Sequence, residues 1–209
     1  MKLSQCTCED FAAKLASKEP VPGGGGVAAL AGSLGAALAS MVANYSIGKK
    51  KFLGMEAKHQ EIIDKSCDLM NKLMALIDED AENFAPLSKA YGMPSATEEE
   101  KAEKEKVLQQ CLLVAASGPV KMVEYVYDAI KIQEELVDIS TKIIISDVGC
   151  AVQMLKAALY SANLNVIVNM NSIKDEKYVA ETSAKCNKMV VEGTQIADKV
   201  YNKVVEVLG

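Results

Sequence analysis

From Val21 to Gly48 the chain carries no charged residue and is built mainly from Gly, Ala, Ser and medium-sized aliphatics. At helical spacing this stretch presents two adjoining stripes of small residues. Ala28, Gly32, Ala36 and Ser40 form one; Ala31, Gly35, Ala39 and Ala43 form the other. Stripes of this kind let helix backbones approach closely, in membranes and in soluble cores alike. The stretch is long enough to cross a bilayer, yet the patterns around it are amphipathic and charged, with no second comparable apolar segment. The expectation is a central buried helix, not a membrane span.

Apolar residues recur at helical spacing over almost all 209 residues, and alternating β-branched runs are nearly absent. Val166-Ile167-Val168 is the one strand-like exception. Thr7 is placed to cap a first helix that runs to about Ser17, and Pro20-Val21-Pro22 interrupts it. The uncharged helix starts within Gly23 to Gly26 and ends before Lys49-Lys50-Lys51, whose charge suits a helix C-terminus. A third runs from roughly Met55 to Ala90, kinked or broken near Pro86, and Thr97 with Glu100 forms a capping box for a fourth. Ser117-Gly118-Pro119 punctuates that helix, and further helices are expected over about Pro119 to Val137, Asp138 to Tyr160 and Lys174 to Leu208. No shift in composition marks a boundary. Residues 1–209 are therefore expected to form a single all-α domain, a helical bundle around the Gly/Ala-rich helix.

Composition then excludes several chemistries. Lys and Arg total 23 against 28 Asp and Glu, a net charge of -5 that argues against broad wrapping of nucleic acid. There is one histidine, His59, and no tryptophan; the six cysteines include no Cys-x-x-Cys pair, only Cys6-Thr7-Cys8. No metal site is expected from such spacing. His59 stands between Lys58 and Gln60 and is expected to be a solvated surface imidazole. The opening MKLSQCTCEDF contains no signal-peptide apolar run, which points to a reduced, cytoplasmic protein.

The four glycines from Gly23 to Gly26 match neither phosphate motif. Ala28 or Ala29 falls where a dinucleotide fingerprint needs its third glycine, and Gly48-Lys49 is followed by Lys50 where a P-loop needs Ser or Thr. Two accounts stay open: free backbone N–H groups at a helix start, offered to an anionic or carbonyl-bearing ligand, or a permissive turn that allows tight packing. Two carboxylates fall on apolar helix faces. Asp80 shares its face with Leu69, Leu73, Leu76, Ile77 and Phe84, and Asp147 shares one with Ile143, Cys150, Ala151 and Met154. Asp78 and Glu79 point elsewhere, into solvent. Inward acids are costly unless paired, hydrogen-bonded or used, so each either caps a neighbour or performs chemistry. Asn165 and Asn169 share a face if their stretch is helical and could hold an amide- or pterin-like edge; a turn-rich linker is the alternative.

Taken in order, Pro22-Gly23-Gly24-Gly25-Gly26-Val27-Ala28-Ala29, Ser46-Ile47-Gly48-Lys49-Lys50-Lys51, Asp78-Glu79-Asp80-Ala81 with Phe84, Ser146-Asp147, and Asn165-Val166 with Asn169 resemble the cyclodeaminase/cyclohydrolase family. That family includes the cyclodeaminase half of formiminotransferase-cyclodeaminase and stand-alone methenyltetrahydrofolate cyclohydrolases. The resemblance implies an all-helical homodimer acting on one-carbon tetrahydrofolates, with no cofactor beyond that substrate. It assigns Asp80 as acid/base and Asp147 as cation-stabilising or pterin-orienting, with the two roles open to exchange. Gly24, Gly25 and Gly26 would approach the folate, Asn165 and Asn169 would hold its ring edge, and Lys50 would meet its glutamate tail. Gly26 departs from the family in standing where many relatives carry Ser, and the resemblance takes in the cyclodeaminase half alone, so no fused formiminotransferase domain is expected. The favoured activity is hydrolysis of 5,10-methenyltetrahydrofolate to 10-formyltetrahydrofolate. Formiminotetrahydrofolate cyclodeamination is the alternative, and a non-catalytic folate-binding or scaffold module is the third possibility.

Overall fold

Residues 2–209 are described by a computed structural model, and among them there are six α-helices and no β-strand. Helix α1 (Cys8–Leu15) opens at Thr7, whose Oγ1 accepts from the Asp10 N–H at 3.0 Å. Helix α2 (Gly24–Ser46) is the uncharged segment, and α3 (Glu56–Tyr91) follows a short 3-10 turn over Lys50–Phe52. Helix α4 (Glu98–Leu136) starts at the expected capping box: the Glu100 N–H donates to Thr97 Oγ1, and the Thr97 N–H donates to Glu100 Oε2, both at 3.1 Å. Helices α5 (Ile145–Met170) and α6 (Glu176–Leu208) complete the bundle.

Three local expectations give way to tertiary packing. Helices α3 and α4 continue through Pro86 and Pro119. Each proline removes one N–H, which deprives the Glu82 and Ala115 carbonyls of their helical donor. Buried residues on both sides, such as Leu76, Ile77 and Leu87 on α3 and Ala116, Met122 and Val123 on α4, hold the helices together across that gap. The strand-like Val166-Ile167-Val168 and the neighbouring asparagines belong to α5, which begins at Ile145 instead of Asp138. Its buried stripe, Val148, Val152, Leu155, Leu159, Ala162 and Val166, repeats at three and four residues, so helical spacing overrides β propensity.

The two small-residue stripes of α2 face different partners. A methyl group placed on Gly32 would lie 2.8 Å from Val126 Cγ2 on α4 and 3.3 Å from Leu73 Cδ1 on α3. One placed on Gly35 would lie 2.5 Å from Leu155 Cγ and 3.2 Å from the Ala151 carbonyl oxygen on α5. Helix α2 therefore runs antiparallel between α3 and α5 and over α4, where Gln133 Nε2 donates to the Gly35 carbonyl at 3.2 Å. Its fourth side is open: Val27, Leu34 and Tyr45 are exposed there. Helix α5 adds Leu164 and Val168 to the exposed apolar surface. It is also a second segment long and apolar enough to cross a membrane, which the sequence pattern concealed by interposing Asp147 and Lys156.

His59 departs from the sequence expectation. The ring is fully buried, with Nδ1 3.0 Å from the Met55 carbonyl, Nε2 2.9 Å from the Ile139 carbonyl, and the Phe52 ring in a T-shaped contact with centroids 5.7 Å apart. Lys58 and Gln60 are misleading neighbours because adjacent helical residues point about 100° apart. The informative positions are Ile62, Ser66, Leu69 and Leu73, all buried on the His59 face.

The close approach of α2 and α5 sets a test. Replacing Gly35 by Ala adds helix propensity of about 1 kcal/mol, but the new methyl meets Leu155 and a backbone oxygen that cannot swing aside. Overpacking of this kind costs about 1–3 kcal/mol. Urea denaturation of Gly35→Ala should therefore show a lower midpoint than the parent, against the direction that propensity alone gives.

Candidate active site

Asp80 lies on the inward face of α3, as its register with Leu73, Leu76 and Ile77 requires. It opens into a cavity of about 210 Å³ walled by the N-terminal turn of α2, by Phe84 and Leu87 of α3, by Leu112, Ala115 and Pro119 of α4, and by the last turns of α5. Burial pushes the carboxyl up from an ordinary 3.8 to about 6. Among the described residues none donates a hydrogen bond to it, so no partner offsets the loss of water.

The glycine turn accounts for how α2 comes so near. A methyl group on Gly25 would lie 2.4 Å from Asp80 Oδ2, and one on Gly118 would lie 3.8 Å from Asp80 Oδ1. The carboxyl is thus held between the start of α2 and the Gly118 turn of α4, with room at position 25 for hydrogen only. No side chain caps α2 at Gly23, and the first helical hydrogen bond runs from the Val27 N–H to the Gly23 carbonyl at 3.1 Å. The amides of Gly24, Gly25 and Gly26 therefore precede that bond as the free donors of a helix start, and Gly24 and Gly25 line the cavity.

The far wall carries acceptors. Asn165 Nδ2 donates to the Ser161 carbonyl and Asn169 Nδ2 to the Asn165 carbonyl, each at 2.8 Å. One N–H of each amide nitrogen is committed to its own helix, and the two Oδ1 atoms are placed to accept from a ligand's N–H donors. Asn165 and Asn169 both line the cavity, so the helical face inferred for them is the one α5 presents.

Other residues singled out from sequence lie elsewhere. Gly26 is buried beneath Pro22 and Phe11, where it serves packing. Lys50 sits in the turn after α2, at the opposite end of that helix from Gly24, about 33 Å away at 1.5 Å per residue. Asp147 is in the first turn of α5 and Asn165 is five turns on, a separation of about 27 Å. Asp147 is half-buried and does not line the cavity; its stripe straddles the boundary of the core, with Ala151 buried and Met154 half-buried but Ile143 88% exposed and Cys150 exposed too. Asp78 and Glu79, expected in solvent, are both engaged. Asp78 accepts from the N-terminal segment, and Glu79 pairs with Lys121 of α4 at 2.6 Å. Pro119, which the sequence presents as punctuation, also lines the cavity, and nothing in its local sequence marks that role.

The chain is similar to known proteins in sequence and in fold. The chain matches the family described as Formiminotransferase-cyclodeaminase over residues 7–188. It is 37% identical over 198 residues to the methenyltetrahydrofolate cyclohydrolase of Methylorubrum extorquens, covering 95% of both chains. It is 32% identical over 188 residues to the formimidoyltransferase-cyclodeaminase of Gallus gallus, covering 88% of this chain and 34% of that one. The crystal structure of formiminotetrahydrofolate cyclodeaminase from Thermotoga maritima superposes with a TM-score of 0.81 at 27% identity, over 99% of this chain and 98% of the other. By sequence over most of its length and by fold over nearly all of it, the chain belongs to the formiminotransferase-cyclodeaminase family.

Proposed function

We propose that the protein is an enzyme of one-carbon tetrahydrofolate chemistry that hydrolyses 5,10-methenyltetrahydrofolate to 10-formyltetrahydrofolate. The observation that carries this reading is the unpartnered Asp80 carboxyl, held at about 6 in a cavity that also offers free helix amides and two asparagine oxygens. The cyclohydrolase of Methylorubrum extorquens, matched over 95% of both chains, supports it. In this reaction water adds to the cationic carbon that bridges N5 and N10. Ionised Asp80 would face that cation, take one proton of the adding water and return it to N5 as the N5–carbon bond breaks; the hydroxyl's remaining proton leaves to solvent as the formyl C=O forms, which balances the lost positive charge. The Asn165 and Asn169 oxygens would accept from the pterin's N–H groups, and the Gly24 and Gly25 amides would meet a carbonyl or anionic group. Ligand pockets for drug-sized molecules run to about 300–1,000 Å³, so a cavity of about 210 Å³ takes a ring system and leaves the rest of the folate outside.

Cyclodeamination is the second reading, favoured by the near-complete superposition on the Thermotoga maritima enzyme. The same carboxyl could protonate the departing ammonia after N10 attacks the formimino carbon. We further propose a single-domain, cytoplasmic homodimer that needs no metal or other cofactor. The open apolar side of α2 and α5 is the surface for the second copy. A two-fold axis perpendicular to these antiparallel helices would bring Lys50 and Asp147 of one copy toward the cavity of the other, the arrangement under which the roles assigned to them could be met.

Purified protein assayed with both substrates should consume methenyltetrahydrofolate faster than formiminotetrahydrofolate yields ammonia, and a strong chelator should leave the rate unchanged. The reverse ranking would support the deaminase reading. Because a carboxylate is the acting form, kcat/KM should be level above about pH 6 and fall about tenfold per unit below it. Gly25→Ala should retain the parent's helical circular dichroism but lose about 100-fold in kcat, since its methyl must displace Asp80.

A further inference from the structure

The N-terminal segment has no part in the chemistry above, yet it forms a wall of the cavity. Its route can be followed from three attachments. The Leu3 N–H donates to Asp78 Oδ1 at 2.6 Å, and Ser4 Oγ donates to Asp78 Oδ2 at 2.5 Å. Phe11, the one buried residue of α1, and Pro22 then pack on the first turn of α2, 3.9 Å and 3.4 Å from where a Gly26 methyl would be. Between and beyond them, Pro20, Val21 and Gly23 line the Asp80 cavity. Helical residues two apart point about 200° apart, so Asp78 and Asp80 face away from each other. The segment is a strap that starts on one side of α3 and ends over the site on the other.

We infer that Asp78 is a positioning residue for the substrate: by holding Leu3 and Ser4 it keeps docked the strap whose far end closes the Asp80 cavity. Both bonds are to a carboxylate and so are the strong kind. Apart from them the strap is held by Phe11 and Pro22, which are buried, and by Leu3 and Cys6, which pack partly buried against the core, while residues 12–20 are almost wholly exposed. Releasing the first attachment lengthens the free chain ahead of Phe11 and lets the wall leave. Substrate would then bind only the docked fraction, which raises apparent KM in inverse proportion to that fraction. Asp80 and its surroundings on α3 and α4 stay in place, so kcat is spared.

The inference rests on the folate reading of the cavity, and the experiment separates the two. Asp78→Ala and Ser4→Ala are compared with the parent by steady-state kinetics on methenyltetrahydrofolate and by limited trypsin digestion at Lys14 and Lys18. Asp78→Ala should raise KM about five- to tenfold with kcat within about twofold, and should speed cleavage in the strap by a similar factor. Ser4→Ala should show a smaller change in the same directions. Methenyltetrahydrofolate should slow strap cleavage of the parent. Faster cleavage with unchanged KM would overturn the inference, as would an unchanged cleavage rate. A joint loss of kcat and helical circular dichroism would reduce Asp78 to a stability residue and overturn it too; if Asp78→Ala does not fold, Ser4→Ala decides by the same two readouts. A parent that turns over neither folate would end the enzymatic reading alone. The strap is then judged on trypsin cleavage and on the dissociation constant for tetrahydrofolate.

Discussion

The approach of the α2 backbone to the Asp80 carboxyl is the contact on which the site depends. It requires hydrogen at position 25, where a methyl would fall 2.4 Å from the carboxyl, and it requires α2 to lie deep between its neighbours along its whole length. The small residues at Gly32 and Gly35 supply that depth, with Val126, Leu73 and Leu155 filling the space their side chains would take. The uncharged stretch is thus a single device. Its middle brings helices together, and its start uses the same closeness to exclude water from an acid while leaving amides free beside it.

The electrostatic consequence is a carboxyl that works against folding. A shift from 3.8 to about 6 corresponds to about 3 kcal/mol at 1.36 kcal/mol per unit. The sign follows from linkage: the raised value means that the folded state favours the protonated acid. This contribution is complete below about pH 4 and is lost as pH rises through about 6. Above that the molecule carries the cost of an ionised, unpartnered group. A cationic substrate carbon is the ligand best suited to relieve it, which connects the poor solvation of Asp80 to the chemistry of a methenyl bridge.

Much of the fold was legible because helical spacing, the Thr97–Glu100 capping box and the two small-residue stripes are local signals that packing here agrees with. Asp80 was legible for the same reason, since its face is apolar on both sides. Asp147 was less so: its stripe lies on the boundary of the core, with Ala151 buried and Ile143 and Cys150 exposed, and periodicity alone does not say how much of an apolar face is covered. His59 shows the converse error, in which charged sequence neighbours concealed a buried face. Pro86 and Pro119 interrupt hydrogen bonding without ending their helices, because long-range burial outweighs one missing donor. The tie between Asp78 and the N-terminal segment spans 75 positions of chain, and no local pattern records it.

The most direct measurement is a paired one on Asp80→Asn, unfolded in urea at pH 7.5 and at pH 4 and assayed with methenyltetrahydrofolate. Removing a general acid/base group typically costs about 100- to 10,000-fold in rate, while removing the buried charge returns about 1–3 kcal/mol of stability. The expected result is a variant more stable than the parent at pH 7.5, equal to it near pH 4, and slower by at least 100-fold. A variant that turns over like the parent, or one that is both inactive and less stable at pH 7.5, would contradict the assignment of Asp80 as an acid buried for catalysis.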